Sequence, residues 1–173
     1  MLSRITPPSD KVKITSADHI GKELAISYAS LGATIVCWDI SEELIMKSGR
    51  YLNNEKRFCV CIGNVADREE VLKVAKKVKE EVDDVTILIN KKRDTFLSNM
   101  IKKDHGHIVM ISSETGLFTN PYGTVYCPSK FAAIMYSLSE ELCVLSNGKS
   151  SIKFTTIYLF FVCTGLIKKP KIR

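Results

Sequence analysis

Tyr126 and Lys130 lie four residues apart, and Ser113 precedes the tyrosine by thirteen. On a helix an (i, i+4) spacing sets two side chains on one face, with Cβ atoms about 5–6 Å apart. A phenol free in water titrates near pH 10, and a fixed cation beside it stabilises the ionised form. A tyrosine and a lysine so placed are equipped to exchange a proton with a hydroxyl or carbonyl oxygen closer to neutral pH. The bland alternative is a surface tyrosine with an unrelated lysine. Ser113 is what raises the pair above it, because the serine falls just past the expected end of a strand, where open α/β sheets place their ligands.

The elements that must position these groups follow from the apolar pattern, in which short β-branched runs alternate with longer helical stripes. That alternation is the signature of a parallel sheet with crossover helices. Strands are expected at residues 12–15, 34–38, 58–62, 85–89, 107–111 and 152–161. A helix over 21–31 carries Leu24, Ala25, Tyr28 and Leu31 on one face, with Gly32 placed for a C-terminal cap. Ser41 caps a helix running to about residue 48. Asp67 and Glu70 form an N-cap and N3 pair of capping-box type, opening a helix whose buried stripe is Val71, Val74, Ala75, Val78 and Val82. A long helix covers 125–145. Only 16 residues separate Asn90 from His107, whereas a crossover needs a dozen or more. A short helix over 95–102 just closes the connection; a distorted or poorly ordered segment is the alternative.

Composition bounds the rest. The 173 residues, 45% hydrophobic and 25% charged, fit one globular domain with a genuine core. The longest apolar run, Ile157 to Cys163, falls far short of the roughly 18–20 residues a spanning helix needs, so no transmembrane segment is expected. Pro7 and Pro8 interrupt the region where a secretory signal would be apolar. The chain is therefore expected on the cytosolic side. Six cysteines at 37, 59, 61, 127, 143 and 163 show no C-x-x-C pair and no zinc-ligand spacing, which reads as reduced core residues and no metal. The net charge of +6 is diluted along residues 69–81, where lysines interleave with glutamates. Only Lys91-Lys92-Arg93 and the 168–173 tail are undiluted, and no recognition motif accompanies them, so no nucleic-acid partner is expected.

The runs Gly106-His107-Ile108-Val109 through Ser113 and Tyr126-Cys127-Pro128-Ser129-Lys130-Phe131, together with Gly21-Lys22, Trp38-Asp39-Ile40 and Asp67-Arg68-Glu69-Glu70-Val71, resemble the short-chain dehydrogenase/reductase superfamily. The likeness is greatest to its 16C group of retinol dehydrogenase and 17β-hydroxysteroid dehydrogenase-like members. It implies a single doubly wound, Rossmann-like parallel sheet over 12–167, between an N-terminal extension (1–11) and a basic tail (168–173). It further implies hydride transfer between a nicotinamide cofactor and a small hydrophobic alcohol or carbonyl. Tyr126 becomes the general acid/base, Lys130 the cation that makes it more acidic and holds the nicotinamide ribose, and Ser113 the donor that orients the substrate oxygen. The cofactor-contacting set implied is Thr15, Ser16, His19, Ile20, Gly21, Asp39, Asn64, Val65, Asn90, Tyr126, Lys130 and Thr164. A carboxylate at Asp39 can accept both adenosine ribose hydroxyls and repels a 2′-phosphate, which favours NAD over NADP; a strand-end turn aspartate is the alternative. By the same resemblance the cytoplasmic protein is peripheral to the endoplasmic reticulum or lipid droplets.

The chain also departs from the family pattern. Thr15-Ser16-Ala17-Asp18-His19-Ile20-Gly21 is one residue short in the phosphate loop and keeps only its last glycine. A carboxylate at Asp18 adds about 1 kcal/mol of repulsion against a phosphate at about 4 Å in water, and ~4 at an effective dielectric of 20. Asn64 replaces an aspartate, Asn90-Lys91-Lys92 replaces an Asn-Asn-Ala-Gly turn, and the helix bearing the family's relay asparagine is expected to be missing; Asn99 is not assigned that role. Family members continue past the point matching Arg173, so an exposed sheet edge is expected, inviting a homodimer. The competing readings are a catalytically silent relative and, without a use for Ser113, Tyr126 and Lys130, a methyltransferase-like nucleotide binder.

Overall fold

A computed structural model describes residues 10–15, 19–50, 58–89, 96–160 and 162. Its strands are β1 (Lys11–Thr15), β2 (Thr34–Asp39), β3 (Phe58–Ile62), β4 (Ile87–Ile89), β5 (Gly106–Ser113) and β6 (Ile152–Leu159); its helices are α1 (His19–Ser30), α2 (Glu42–Gly49), α3 (Arg68–Glu81), α4 (Leu97–Lys103) and α5 (Tyr126–Ser146). All six strands pair in parallel in the order β3-β2-β1-β4-β5-β6. The direction of winding reverses between β1 and β4, which opens a crevice at the carboxyl ends of the strands. The doubly wound fold expected from the sequence is the fold observed.

Alternate residues along each strand serve opposite faces. Val12, Ile14, Ile35, Cys37, Ile87 and Ile89 pack with Ala25 of α1 and Ile45 of α2. Val36, Trp38, Cys61, Leu88 and Ile108 pack against the Val71, Val74, Ala75 and Val78 stripe of α3 and against Leu97 and Met100 of α4. Gly32 takes φ 90, a left-handed conformation that closes α1 with its N–H on Ala29 O. The Asp67 carboxylate caps α3 by accepting from the N–H groups of Glu69 and Glu70. The reciprocal half of the expected capping box is not made, because the Glu70 carboxylate reaches past the cap to accept from Asn64 N–H.

Several boundaries move. Val85 is buried but precedes β4, which keeps three residues. Pairing between β5 and β6 runs without a break from Gly106↔Ile152 to Ser113↔Leu159, so β5 extends to the serine and β6 ends two residues earlier than expected. The short crossover does form a helix, over Leu97–Lys103. Asp84 anchors it from below: its carboxylate accepts from Asn99 Nδ2 at 2.9 Å and pairs with Lys103 at 2.6 Å and Lys79 of α3 at 2.7 Å. Those cations hold its carboxyl below the usual carboxylate range, Lys103 foremost. Asn99 thus helps hold α4 to Asp84.

Candidate active site

The end of β5 and the start of α5 are built against each other. Ser112 Oγ donates to Lys130 O at 3.2 Å, tying the penultimate strand residue to the first turn of α5. Between the two elements runs a single 3₁₀ turn, Glu114–Gly116. A Cβ on Gly116 would come within 2.9 Å of Lys130 C and 2.7 Å of Ile134 Cδ1, so this position admits glycine because the helix backbone passes directly over it. At the other end of the connection Gly123 O accepts from Cys127 N–H at 2.8 Å, and buried Cys127 leaves no room for a side chain on that glycine. Pro128 occupies the first turn of α5, where a missing N–H costs no helical hydrogen bond.

These contacts fix the registry of Tyr126 and Lys130 on α5. Lys130 Nζ lies over the Tyr126 ring, 5.5 Å from its centroid, so the pair converges as the spacing predicted. Contact of an ammonium with an aromatic face at a partly exposed site is worth about 0.5–1 kcal/mol. Tyr126 is 44% exposed and so accessible to a ligand.

Ser113 does not stand beyond the strand, as expected, but is its last residue. It is buried, its Oγ donates to Leu159 O at 3.2 Å, and it accepts from Thr115 N–H at 3.3 Å and Thr115 Oγ1 at 3.0 Å. The hydroxyl therefore caps the 3₁₀ turn and stitches β5 to β6. To donate to another acceptor it must release Leu159 O.

The described cofactor-side residues line the carboxyl edge of the sheet. Asp39 ends β2, and its Oδ1 accepts from Ser41 N–H at 3.0 Å, the strand-end turn contact given above as the alternative to the ribose role. Asn64 is exposed just past β3, its Oδ1 accepting from Ala66 N–H at 2.8 Å, and Val65 packs partly buried against the core. Thr15 ends β1, exposed His19 opens α1 at φ 37, Ile20 is half-buried and Gly21 is buried in the first turn. No acidic residue stands in that turn, leaving the positive end of the helix dipole uncompensated from within the helix. Ser16, Asp18, Asn90, Lys91-Lys92-Arg93, Cys163, Thr164, Gly165 and the basic tail lie outside the described residues.

One buried charge of the sheet was missed. Lys13 of β1 is fully buried, its Nζ donating to Thr15 Oγ1 at 3.0 Å and lying 4.4 Å from the Trp38 centroid and 5.1 Å from that of Phe96. Burial pushes its amine down to about 7 from 10.5, against the opposing pull of the neighbouring Cys61. The sequence did carry a signal: strands of parallel sheets read as near-continuous apolar runs, and a lysine between Val12 and Ile14 breaks one.

A doubly wound parallel sheet with a serine ending β5 and a tyrosine and lysine opening the next helix defines the class, and comparison with known proteins agrees. The family model for short chain dehydrogenases matches residues 11–91 and 93–170, and the chain belongs to that family. It is 33% identical to estradiol 17-beta-dehydrogenase 11 of Mus musculus, over 92% of this chain and 64% of the relative. It is 35% identical to short-chain dehydrogenase/reductase family 16C member 6 of Bos taurus (88% and 58%) and 33% identical to epidermal retinol dehydrogenase 2 of Mus musculus (91% and 62%). The chain thus spans roughly three fifths of the length of these relatives. The first alignment occupies 196 positions, more than the 173 residues present, so the relative has residues with no counterpart here. Among solved structures, a short-chain dehydrogenase from Streptomyces avermitilis superposes with a TM-score of 0.76 at 19% identity (93% of this chain, 69% of that one), and serine dehydrogenase from Escherichia coli with 0.75 at 17% (86% and 81%). At those identities the likeness is one of fold. Among the described residues no helix is long and apolar enough to cross a membrane.

Proposed function

We propose that the chain is an oxidoreductase moving a hydride between a nicotinamide cofactor and a hydrophobic alcohol or carbonyl of retinoid or steroid type. The observation that carries this reading is the Lys130 ammonium 5.5 Å from the Tyr126 ring centroid, on a helix locked by Gly116 and Ser112 to the end of β5. The groups present fit a dinucleotide at two points, Asp39 with Asn64 at one end of the carboxyl edge and Tyr126 with Lys130 at the other. When bound, the nicotinamide supplies or accepts the hydride. Tyr126 passes the proton to or from the substrate oxygen, Lys130 stabilises the phenolate that results, and Ser113 orients that oxygen once it lets go of Leu159 O. NAD is favoured over NADP, because a 2′-phosphate would meet the Asp39 carboxylate.

The apolar substrate class is supported by the connection that leads into Tyr126. Phe118, Tyr122 and Val125 are 72%, 99% and 82% exposed there, interleaved with the exposed polar residues Thr119, Asn120 and Thr124. A homodimer belongs to the same reading: β6 ends the described sheet, and Ile157, Tyr158 and Phe160 are exposed along it. We place the protein in the cytoplasm, peripheral to the endoplasmic reticulum or lipid droplets, supported by its family likeness and by five free cysteines in the described residues.

The test is a titration of the purified chain with NADH, followed by nicotinamide fluorescence. Saturable binding that weakens at least tenfold for NADPH, and a preference that Asp39→Ser erases, support the assignment. Absence of binding at millimolar NADH refutes it and leaves the silent-relative reading, which the engaged Ser113 hydroxyl favours.

A further inference from the structure

Cys59 and Cys61 take no part in the proposed reaction, and among the described residues they form a pair of neighbouring thiols on a sheet edge. They lie two apart on β3, so both side chains leave the same face. Cys61 is 1% exposed in the core beside Trp38, whereas Cys59 is only half-buried. The neighbouring Cys61, burial and Glu81 hold the Cys59 thiol above the usual thiol range, while Cys59 and Lys77 draw Cys61 below it. Cys59 Sγ also donates to Glu81 Oε2 at 3.4 Å, and Lys77 Nζ donates to Val60 O, between the cysteines, at 3.2 Å. A dithiol thus lies beside a carboxylate that disfavours a thiolate at Cys59 and a cation that favours one at Cys61.

What such a pair can hold is decided by spacing. Same-face positions on an extended strand are about 6.6 Å apart at Cα, the far limit for a disulfide, whose Cβ atoms must approach to about 3.5–4.5 Å. A direct sulfur–sulfur bond therefore requires β3 to pucker, while a single atom bonded to both sulfurs does not. Zinc asks for four ligands, and among the described residues no group of three or more His, Cys, Asp or Glu side chains is arranged to hold a metal ion. A thiophilic centre satisfied by two sulfurs fits the site.

We propose that Cys59 and Cys61 form a bidentate site for a trivalent arsenical, with one arsenic bridging the two sulfurs. In the step R–As(OH)₂ plus two thiols, two S–H and two As–O bonds break, two As–S bonds form and two waters leave; arsenic stays trivalent and no oxidant is consumed. One As–S bond forms at each sulfur, ring closure being the second, and the two thiol protons leave in the two waters.

The test uses the full chain and phenylarsine oxide at equimolar ratio, read by intact mass. The expected result is one phenylarsenic per chain, resistant to tenfold excess glutathione and removed by 2,3-dimercaptopropanol. Alkylation followed by digestion should leave Cys59 and Cys61 protected and the remaining cysteines modified. Cys59→Ser and Cys61→Ser should each weaken binding at least a hundredfold, because the second bond is intramolecular. No adduct, an adduct that glutathione strips, protection at other cysteines, or unchanged affinity in both variants would overturn the proposal. The protection map is read on the unaltered protein and stands whether or not the variants fold.

Discussion

Lys13 makes the fold measurably dependent on pH, and replacing it by methionine should remove that dependence. In the unfolded chain its amine keeps a proton up to about pH 10.5; in the fold, burial makes it give the proton up from about pH 7. Between those values the unfolded chain binds one proton more, so stability rises with pH. At about 1.36 kcal/mol per pH unit the whole interval corresponds to about 5 kcal/mol. Integrated over pH 7 to 9, the rise is about 2 kcal/mol, or roughly 4–8 °C in melting temperature for a domain of this size. The figure is an upper bound, because the Trp38 and Phe96 faces at 4.4 and 5.1 Å favour the ammonium and oppose the desolvation. Other groups titrate in the same window: burial holds Cys37 protonated to about 12, and that pulls stability the other way as pH rises. The assay is therefore a difference, urea or thermal unfolding of wild type against Lys13→Met at pH 7, 8 and 9. The wild type should gain on the variant by about 2 kcal/mol across that range. Parallel curves would refute the reasoning and show that the ring faces cancel the cost of burial.

Two further substitutions probe the supports of the site. Gly116→Ala places a methyl 2.7 Å from Ile134 Cδ1 and 2.9 Å from Lys130 C, and should cost about 1–3 kcal/mol while lowering turnover more than Gly148→Ala, which meets open space and carries only the backbone cost of its φ of 72. Asp84→Asn keeps an acceptor for Asn99 but loses its charge to Lys79 and Lys103, whose side chains are 51% and 58% exposed; chemical unfolding should show a loss of about 1–2 kcal/mol. Because its folded carboxyl titrates below 3.8, that contribution is full above about pH 4 and disappears as pH falls below it.

The sheet was legible because its periodicities were unambiguous. Val36 and Trp38 alternate with Ile35 and Cys37 between opposite faces, and the α3 stripe repeats at helical spacing with Asp67 at its cap. Strand ends were less legible, since they are set by partners distant in sequence: β5 runs on to Ser113 because β6 pairs with it there, and nothing local to 112–113 announces that. The convergence of Tyr126 and Lys130 followed from helix geometry alone. The engagement of Ser113 did not, because its acceptor, Leu159 O, is 46 residues away. Lys13 was overlooked for a related reason, as a charged residue is read as surface until the strands on either side are seen to cover it.

The account depends on Tyr126 carrying the proton to or from substrate while Lys130 steadies the charge left on its ring. The most direct measurement is oxidation of a long-chain or retinoid alcohol with NAD by wild type and Tyr126→Phe, with NADH affinity determined in parallel. The prediction is turnover reduced at least a hundredfold in the variant with affinity for NADH unchanged within a few-fold. Equal turnover in the two proteins would contradict it.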